Sequence, residues 1–221
     1  MSRNPILLDH NARPEKATPL LRHPIFAWVG LRPVFGQHTA AEHAALKRWA
    51  TQRLSLVEIG VAEGASAMVL RQVMSPSGTL WLIDPFHLSR KRIINATKRA
   101  AHRVVGGYEK GNVVWIEEFS FDAVSRWHAP IDFLFIDGDH SEAGVTQDWE
   151  NWHRFVVPGG VVAFHDASTF TGGWPQDDWG PVRLVNRVFR GHGLPEWTLV
   201  DEVDSLVVVE RLKTGCKSKT E

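Results

Sequence analysis

Residues 132–166 read DFLFIDGDHSEAGVTQDWENWHRFVVPGGVVAFHD, and their pattern decides the fold. Two apolar runs, at 133–136 and 161–164, end abruptly in polar side chains: Asp137, Asp139 and His140 after the first, His165 and Asp166 after the second. The stretch between them, AGVTQDWENWHRFV, spaces its apolar residues as a helix does. A strand, a helix and a strand in that order point to parallel pairing, because parallel strands need a crossover and a helix is the usual one.

The alternation extends outward from this unit. Upstream, Thr39 to Glu42 has the form of a helix capping box that AALKRWATQRL continues. SLVEIG (55–60), TLWLID (79–84) and NVVWIEE (112–118) read as strands ahead of IDFLFID (131–137) and GGVVAFHD (159–166). SAMVLRQVM, SRKRIINATKRAAHRV and FDAVSRWH read as the helices between the earlier ones. Downstream, EWTLVDEV and SLVVVERL are separated only by a turn and should pair antiparallel. The expected fold is α/β: a doubly wound, mostly parallel seven-stranded sheet with helices on both faces and an antiparallel C-terminal hairpin.

With 221 residues, 43% of them hydrophobic, the chain suits one core. The expected division is an N-terminal segment 1–38, a domain 39–212 and a polar tail 213–221. Equal numbers of acidic and basic residues and a pI near 7.2 offer no global attraction to nucleic acid or an anionic membrane. The expected partner is therefore a small molecule. The single cysteine, Cys216, allows neither a disulfide framework nor a cysteine zinc cluster. The first residues lack the apolar run of a signal peptide, and no stretch approaches a membrane span, so a cytoplasmic setting is expected.

In a doubly wound sheet, ligands bind beyond the carboxyl ends of the strands. Gly60 and Gly64 allow a tight turn and close backbone approach at a helix start. Asp84, ending the second strand, suits a carboxylate that accepts from ribose hydroxyls, although Asp84-Pro85 also suits a simple turn.

Four motifs together, VEIGVAEGAS, LIDPF, DFLFIDGDHSEAGVTQDW and VPGGVVAFHD, resemble class I S-adenosylmethionine (SAM)-dependent methyltransferases. More narrowly, they resemble the small-molecule O-methyltransferases that include catechol-type and antibiotic-sugar enzymes, over roughly residues 39–210. The resemblance implies a Rossmann-like methyltransferase fold. It implies that Glu58, Gly60 and Gly64 line the methionine end of SAM, that Asp84 holds the ribose, that Ser120 lies near the adenine, and that Ser66 and Asp137 are also cofactor-binding residues. In the metal-dependent relatives, positions matching Asp137, His165 and Asp166 bind a divalent cation such as Mg²⁺, and the position matching His140 accepts a proton. Ala62 and Glu118 stand where many relatives have glycine.

Methyl transfer from a sulfonium is a direct displacement, so the protein must align donor and acceptor and remove a hydroxyl proton. A cation at the rim or a base such as His140 serves that end. Alternatives stay open at this point: His140 or Asp139 as a helix cap, Asp137 as a contact for the cofactor amine, and His165 as a softer donor turned toward substrate. Trp174 and Trp179, in the glycine- and proline-rich stretch 168–181, are candidate acceptor contacts beneath a lid. Segment 1–38 is a second wall or a subunit contact that would make a homo-oligomer. Arg90, Lys91 and Arg92 read as a solvated helix face or an anion contact. His102, His128, His153 and His192 read as packing or surface residues. The functional expectation is SAM-dependent O-methylation of a sugar or phenolic hydroxyl. A nicotinamide dinucleotide oxidoreductase and a non-catalytic nucleoside-binding protein are the competing classes, the former disfavoured by Glu58 in place of the usual three-glycine fingerprint.

Overall fold

The computed structural model describes residues 22–87, 94–191 and 193–213. Arg90, Lys91, Arg92, His192 and Cys216 lie outside these. Seven strands form one sheet: β1 (Ser55–Ile59), β2 (Thr79–Ile83), β3 (Asn112–Ile116), β4 (Ile131–Ile136), β5 (Val156–Phe164), β6 (Trp197–Val203) and β7 (Leu206–Arg211). Their order is β3-β2-β1-β4-β5-β7-β6. β1 to β5 are parallel, while β7 runs antiparallel to both β5 and β6. The expected doubly wound sheet with its C-terminal hairpin is thus the observed one.

Side chains alternate across the sheet with period two. Leu56, Leu80, Leu82, Phe133, Phe135, Val161 and Ala163 pack under α2 (Ala40–Ala50), α3 (Ala65–Val73) and α4 (Ala96–Gly106). Val57, Ile59, Leu134, Ile136, Val162 and Phe164 face α6 (Glu142–Trp152) and α7 (Gly180–Val185) on the other side. The capping box starts α2 as expected: the Thr39 hydroxyl accepts from Glu42 N, and the Glu42 carboxylate accepts from Thr39 N at 2.7 Å. His102 stacks on Trp115 and His153 on Trp149.

Four elements depart from the sequence reading. β5 begins at Val156 rather than near Gly159, because its first residues already pair with Ile131 before a shift in register restores pairing at Phe133 and Val161. Pro158 and Gly159, with φ +83° at the glycine, belong to that irregularity, which is where a strand tolerates them. Two short helices, α1 (Pro24–Trp28) and α7, carry a proline in their first turn, where its missing N–H costs nothing. The four-residue helix α5 (Ser120–Ala123) is shorter than FDAVSRWH suggested and continues as a 3₁₀ turn.

Candidate functional site

Register places the rim residues side by side. Ile83, Ile59, Ile136 and Phe164 are direct neighbours across β2, β1, β4 and β5. The residues that follow them, Asp84, Gly60, Asp137 and His165, therefore emerge in one row at the carboxyl edge. The ladder continues through them: Gly60 N donates to Ile83 O, Asp137 N to Ile59 O and His165 N to Ile136 O, at 2.9–3.1 Å. At this edge the chain turns from β1 to opposite neighbours, β2 and β4, which leaves a crevice between the two sets of loops.

The crevice holds a cavity of about 380 Å³ lined by Gly60, Ala62, Asp84, Ser120, Asp137 and Asp148, among others. Gly60 has φ +87°, and a β-carbon on it would come within 2.1 Å of the Asp137 carbonyl. The crossing of β1 over the end of β4 therefore requires glycine there. Gly64, at φ +85°, is required by α4: a β-carbon would lie 2.9 Å from Ala101 Cα. Ala62 adopts φ +47°, the conformation that glycine takes without strain. Asp84 Oδ2 accepts from the N–H groups of Val61 and Ala62 at 2.9 and 3.0 Å, and Oδ1 from Phe86 N at 2.7 Å. A carboxylate retains further lone pairs after three such bonds. Glu58 and Ser66 lie behind the loop rather than on the cavity wall. Period two sends Glu58 to the α3 side, where it is fully buried and accepts the Ser66 hydroxyl. Burial pushes its carboxyl well above the ordinary range, and its Oε2 has no hydrogen-bond partner among the described residues.

Next to the cavity, and sharing Asp137 with it, stands a cluster of ionisable groups. His140 Nε2 lies 3.3 Å from Asp137 Oδ1, and its Nδ1 lies 3.5 Å from Asp166 Oδ2. Capping does not occupy it: Ser141 caps α6 by accepting from Gly144 N, while Asp139 accepts from Ser141 N. The ligand-type atoms of Asp137, His140 and Asp166 all lie within 4.8 Å of one another. His165 sits on the inner side of that group. Its Nδ1 is 3.2 Å from Asp137 Oδ1, and its Nε2 is 3.5 Å from Glu42 Oε2.

Electrostatics follow from these contacts. Burial opposes charge on His165, yet Asp137, Glu42 and Asp166 hold its imidazolium well above the ordinary histidine value. Burial also opposes ionisation of Asp137, but His165 and His140 keep its carboxyl well below the usual range. The hydrogen bond to Asp137 raises His140. Asp166 is raised, chiefly by burial. His38 is lowered to about 4, first by burial and then by the His165 charge.

The segment after β5 folds back onto this cluster. Trp174 Nε1 donates to Asp166 Oδ1 at 2.6 Å, and the Trp179 ring lies 5.8 Å from that of His140. From the N-terminal side, His38 comes within 5.9 Å of His165, ring to ring. The segment before it is pinned to the glycine loop by Arg32, whose guanidinium meets Glu63 through two 2.7 Å contacts in a buried pair.

Sequence reasoning passed over two residues here. Glu42 was already accounted for as the second half of a capping box, and nothing in its local pattern reveals that the carboxylate also accepts from Ser205 N and reaches His165. Asp148 did carry a signal: it falls in the buried stripe Val145, Asp148, Trp149, Trp152 of α6, where an acid interrupts an otherwise apolar face. It is 5% exposed and accepts the Ser120 hydroxyl. Burial pushes its carboxyl up to about 6 from an ordinary 3.8. The folded state then binds this proton more tightly than the unfolded chain, so its contribution to stability is present at low pH and is lost as pH rises through about 6. Asp148→Asn removes the penalty. It is expected to stabilise the protein at pH 8 by on the order of 1–3 kcal/mol, and by less at pH 4.5. Urea denaturation at both values checks this, and an equal effect at the two pH values contradicts it.

No helix among the described residues is long and apolar enough to cross a membrane. A family model described as a methyltransferase domain matches residues 57–167. An uncharacterized protein of Acanthamoeba polyphaga mimivirus is 30% identical over 142 residues, which cover 61% of this chain and 59% of that protein. The match thus spans about three fifths of the relative's length. Among solved structures, the O-methyltransferase TomG of Streptomyces achromogenes, involved in tomaymycin synthesis and in complex with SAM, aligns over 90% of this chain and 92% of its own, with TM-score 0.62 and 17% identity. An O-methyltransferase of Bacillus cereus in complex with SAH covers 89% and 92%, with TM-score 0.54 and 15% identity. An rRNA methylase of Streptococcus thermophilus covers 77% and 94%, with TM-score 0.53 and 13% identity.

Proposed function

The chain belongs to the methyltransferase-domain family matched over residues 57–167, and from that premise we propose that it transfers the methyl group of SAM to a hydroxyl of a small-molecule acceptor. The observation that carries this reading is the placement of His140 between Asp137 and Asp166 at the edge of the cavity that Asp137 also lines. An imidazole there meets the need of O-methylation, a base beside the methyl donor.

The cavity suits SAM by its chemistry. Asp84 offers carboxylate lone pairs at the second strand end, on the cavity wall. When bound, SAM supplies an electrophilic methyl group on a sulfonium. The residues of the chain do the rest. Gly60 lets the β1 loop pass close to Asp137, and Arg32 holds Glu63 so that the loop keeps its shape. His140 donates through Nε2 to Asp137, which leaves Nδ1 to take the acceptor proton. The resulting imidazolium is stabilised by both neighbouring carboxylates. Trp174 and Trp179 form the wall that excludes water from the acceptor.

Asp137 and Asp166 also suit a divalent cation. Asp166 is 1% exposed at φ +52°, and its Oδ2 has no hydrogen-bond partner among the described residues. Two carboxylates whose oxygens lie within 4.8 Å of each other are oxygen donors for a hard ion such as Mg²⁺ or Mn²⁺, with His140 beside them left as the base. Such an ion supplies Lewis-acid stabilisation of the acceptor oxygen. The acceptor itself is proposed to be small and without phosphate. Acids line the rim, and the net charge is zero, so a polyanion gains little there.

Calorimetry tests the cofactor reading. S-adenosylhomocysteine (SAH) is expected to bind the wild type, while NAD and NADP do not. Asp84→Ala is expected to weaken SAH by about 1.5–3 kcal/mol, roughly 10–150-fold, the loss of hydrogen bonds to a charged group. A folded variant with wild-type affinity removes Asp84 from the site.

A further inference from the structure

Ala100, Ala101, Val104 and Val105 turn one face of α4 into the core. Its other face borders a second depression, of about 610 Å³, lined by Trp28 of α1 and by Asn95, Lys98, Arg99, His102 and Arg103. None of these residues lines the cofactor cavity. The charges there are unevenly balanced. Lys98 Nζ pairs with Glu117 at 2.5 Å. His102, stacked on Trp115, is held below the ordinary histidine value, first by partial burial and then by the Lys98 charge, so it is neutral at pH 7. Arg99 and Arg103 meet no carboxylate among the described residues, whereas Arg32, Arg190 and Arg211 each meet one. Both guanidiniums are nevertheless held in place. Arg99 lies 4.8 Å above the Trp28 ring. Arg103 Nε donates to Ala27 O at 3.0 Å, which leaves the N–H groups on its terminal nitrogens without an acceptor among the described residues. The two arginines stand one helical turn apart on the same face, where like charges repel unless an anion comes between them.

We propose that this depression is a second ligand site, separate from the acidic rim, and that it binds a small phosphate monoester through Arg99 and Arg103. Nothing in the methyl-transfer reading requires such a site, and the inference stands apart from it. Two uncompensated cations match a phosphate monoester, which carries a charge of roughly −1.5 to −2 at pH 7. A carboxylate or a phosphodiester brings only a single charge. Guanidinium groups suit the task, because their planar forks meet phosphate oxygens two at a time. Asn95 takes no part: its carboxamide caps α4 and donates to Phe86 O, so the arginine face rather than the helix start supplies the donors. The volume falls within the roughly 300–1,000 Å³ of small-molecule sites, which favours a metabolite over a strand or a protein segment. Trp28 and Ile94, the latter 47% exposed, give the organic part of the ester an apolar wall.

The test is calorimetric titration of the full chain at pH 7.5 and low ionic strength with glycerol 3-phosphate, using acetate and dimethyl phosphate as singly charged controls. The monoester is expected to bind about tenfold or more tightly than either control. Arg99→Gln gives up only the Trp28 contact within the protein, so it should stay folded and bind glycerol 3-phosphate about 5–20-fold more weakly. Replacing Arg103 by glutamine as well should abolish measurable binding, while SAH affinity stays at the wild-type value in both variants. Failure of the wild type to bind glycerol 3-phosphate overturns the inference, as does a folded Arg99→Gln variant with unchanged affinity. Displacement of glycerol 3-phosphate by SAH also overturns it, by placing the phosphate in the cofactor cavity. A single-stranded oligonucleotide that binds more tightly than the monoester, and loses that affinity in Arg99→Gln, assigns the surface to a phosphodiester backbone instead.

Discussion

Replacing His140 by alanine is expected to slow the chemical step by about 10²–10⁴-fold, the usual contribution of a positioned general base. SAH affinity should stay close to that of the wild type, because the contacts of His140 are with Asp137 and Asp166 and it does not line the cofactor cavity. The structure sharpens the comparison with a purely structural role. Ser141 and Asp139 satisfy the start of α6, so the variant loses no cap and should unfold near the wild-type temperature. Two further readouts separate proton acceptance from support. Free imidazole in the buffer should restore part of the single-turnover rate of His140→Ala. His140→Gln, which still donates to Asp137, should be as slow as alanine. A variant that is folded, binds SAH and turns over at the wild-type rate ends the assignment.

That placement was largely legible in the sequence, and the reason is topological. A parallel sheet fixes where each apolar run stops, so Asp84, Gly60, Asp137 and His165 had to share one edge once the strands were identified. Roles within the edge were less legible, because they depend on which way side chains turn and on partners distant in sequence. Gly64 looks like a ligand-facing glycine in VEIGVAEGAS, yet its need for glycine comes from Ala101, 37 residues later on α4. Glu58 and Ser66, both read as cofactor residues, bond to each other behind the loop, a pairing that no local pattern announces. His165 stands where the resemblance places a cation ligand, but Glu42 behind it and Asp137 before it give it charged partners on both nitrogens. No local pattern around His165 announces Glu42, 123 positions earlier on another helix.

Those two partners also decide what is expected of the cation. Asp137 already shares its charge with His140 and the buried His165, which weakens it as a ligand, while Asp166 holds a buried oxygen with no hydrogen-bond partner among the described residues. An oxygen left so costs about 1–3 kcal/mol, and the left-handed backbone at Asp166 adds to the strain. Both costs are accounted for if Asp166 is held for an ion. Chelation by EDTA is therefore expected to lower turnover by about 10³-fold or more, with Mg²⁺ or Mn²⁺ restoring it. Asp166→Asn should keep the fold and the Trp174 hydrogen bond, since an amide oxygen still accepts, yet demand much more Mn²⁺ for half-maximal rate. SAH binding provides the control, because Asp84, Ser120 and Asp148 on the cavity wall are untouched by either treatment. Full activity in metal-stripped buffer, with no ion found by elemental analysis, rejects the cation. The unsatisfied oxygen of Asp166 then falls to His140 alone, as the counter-charge awaiting the imidazolium that proton transfer creates.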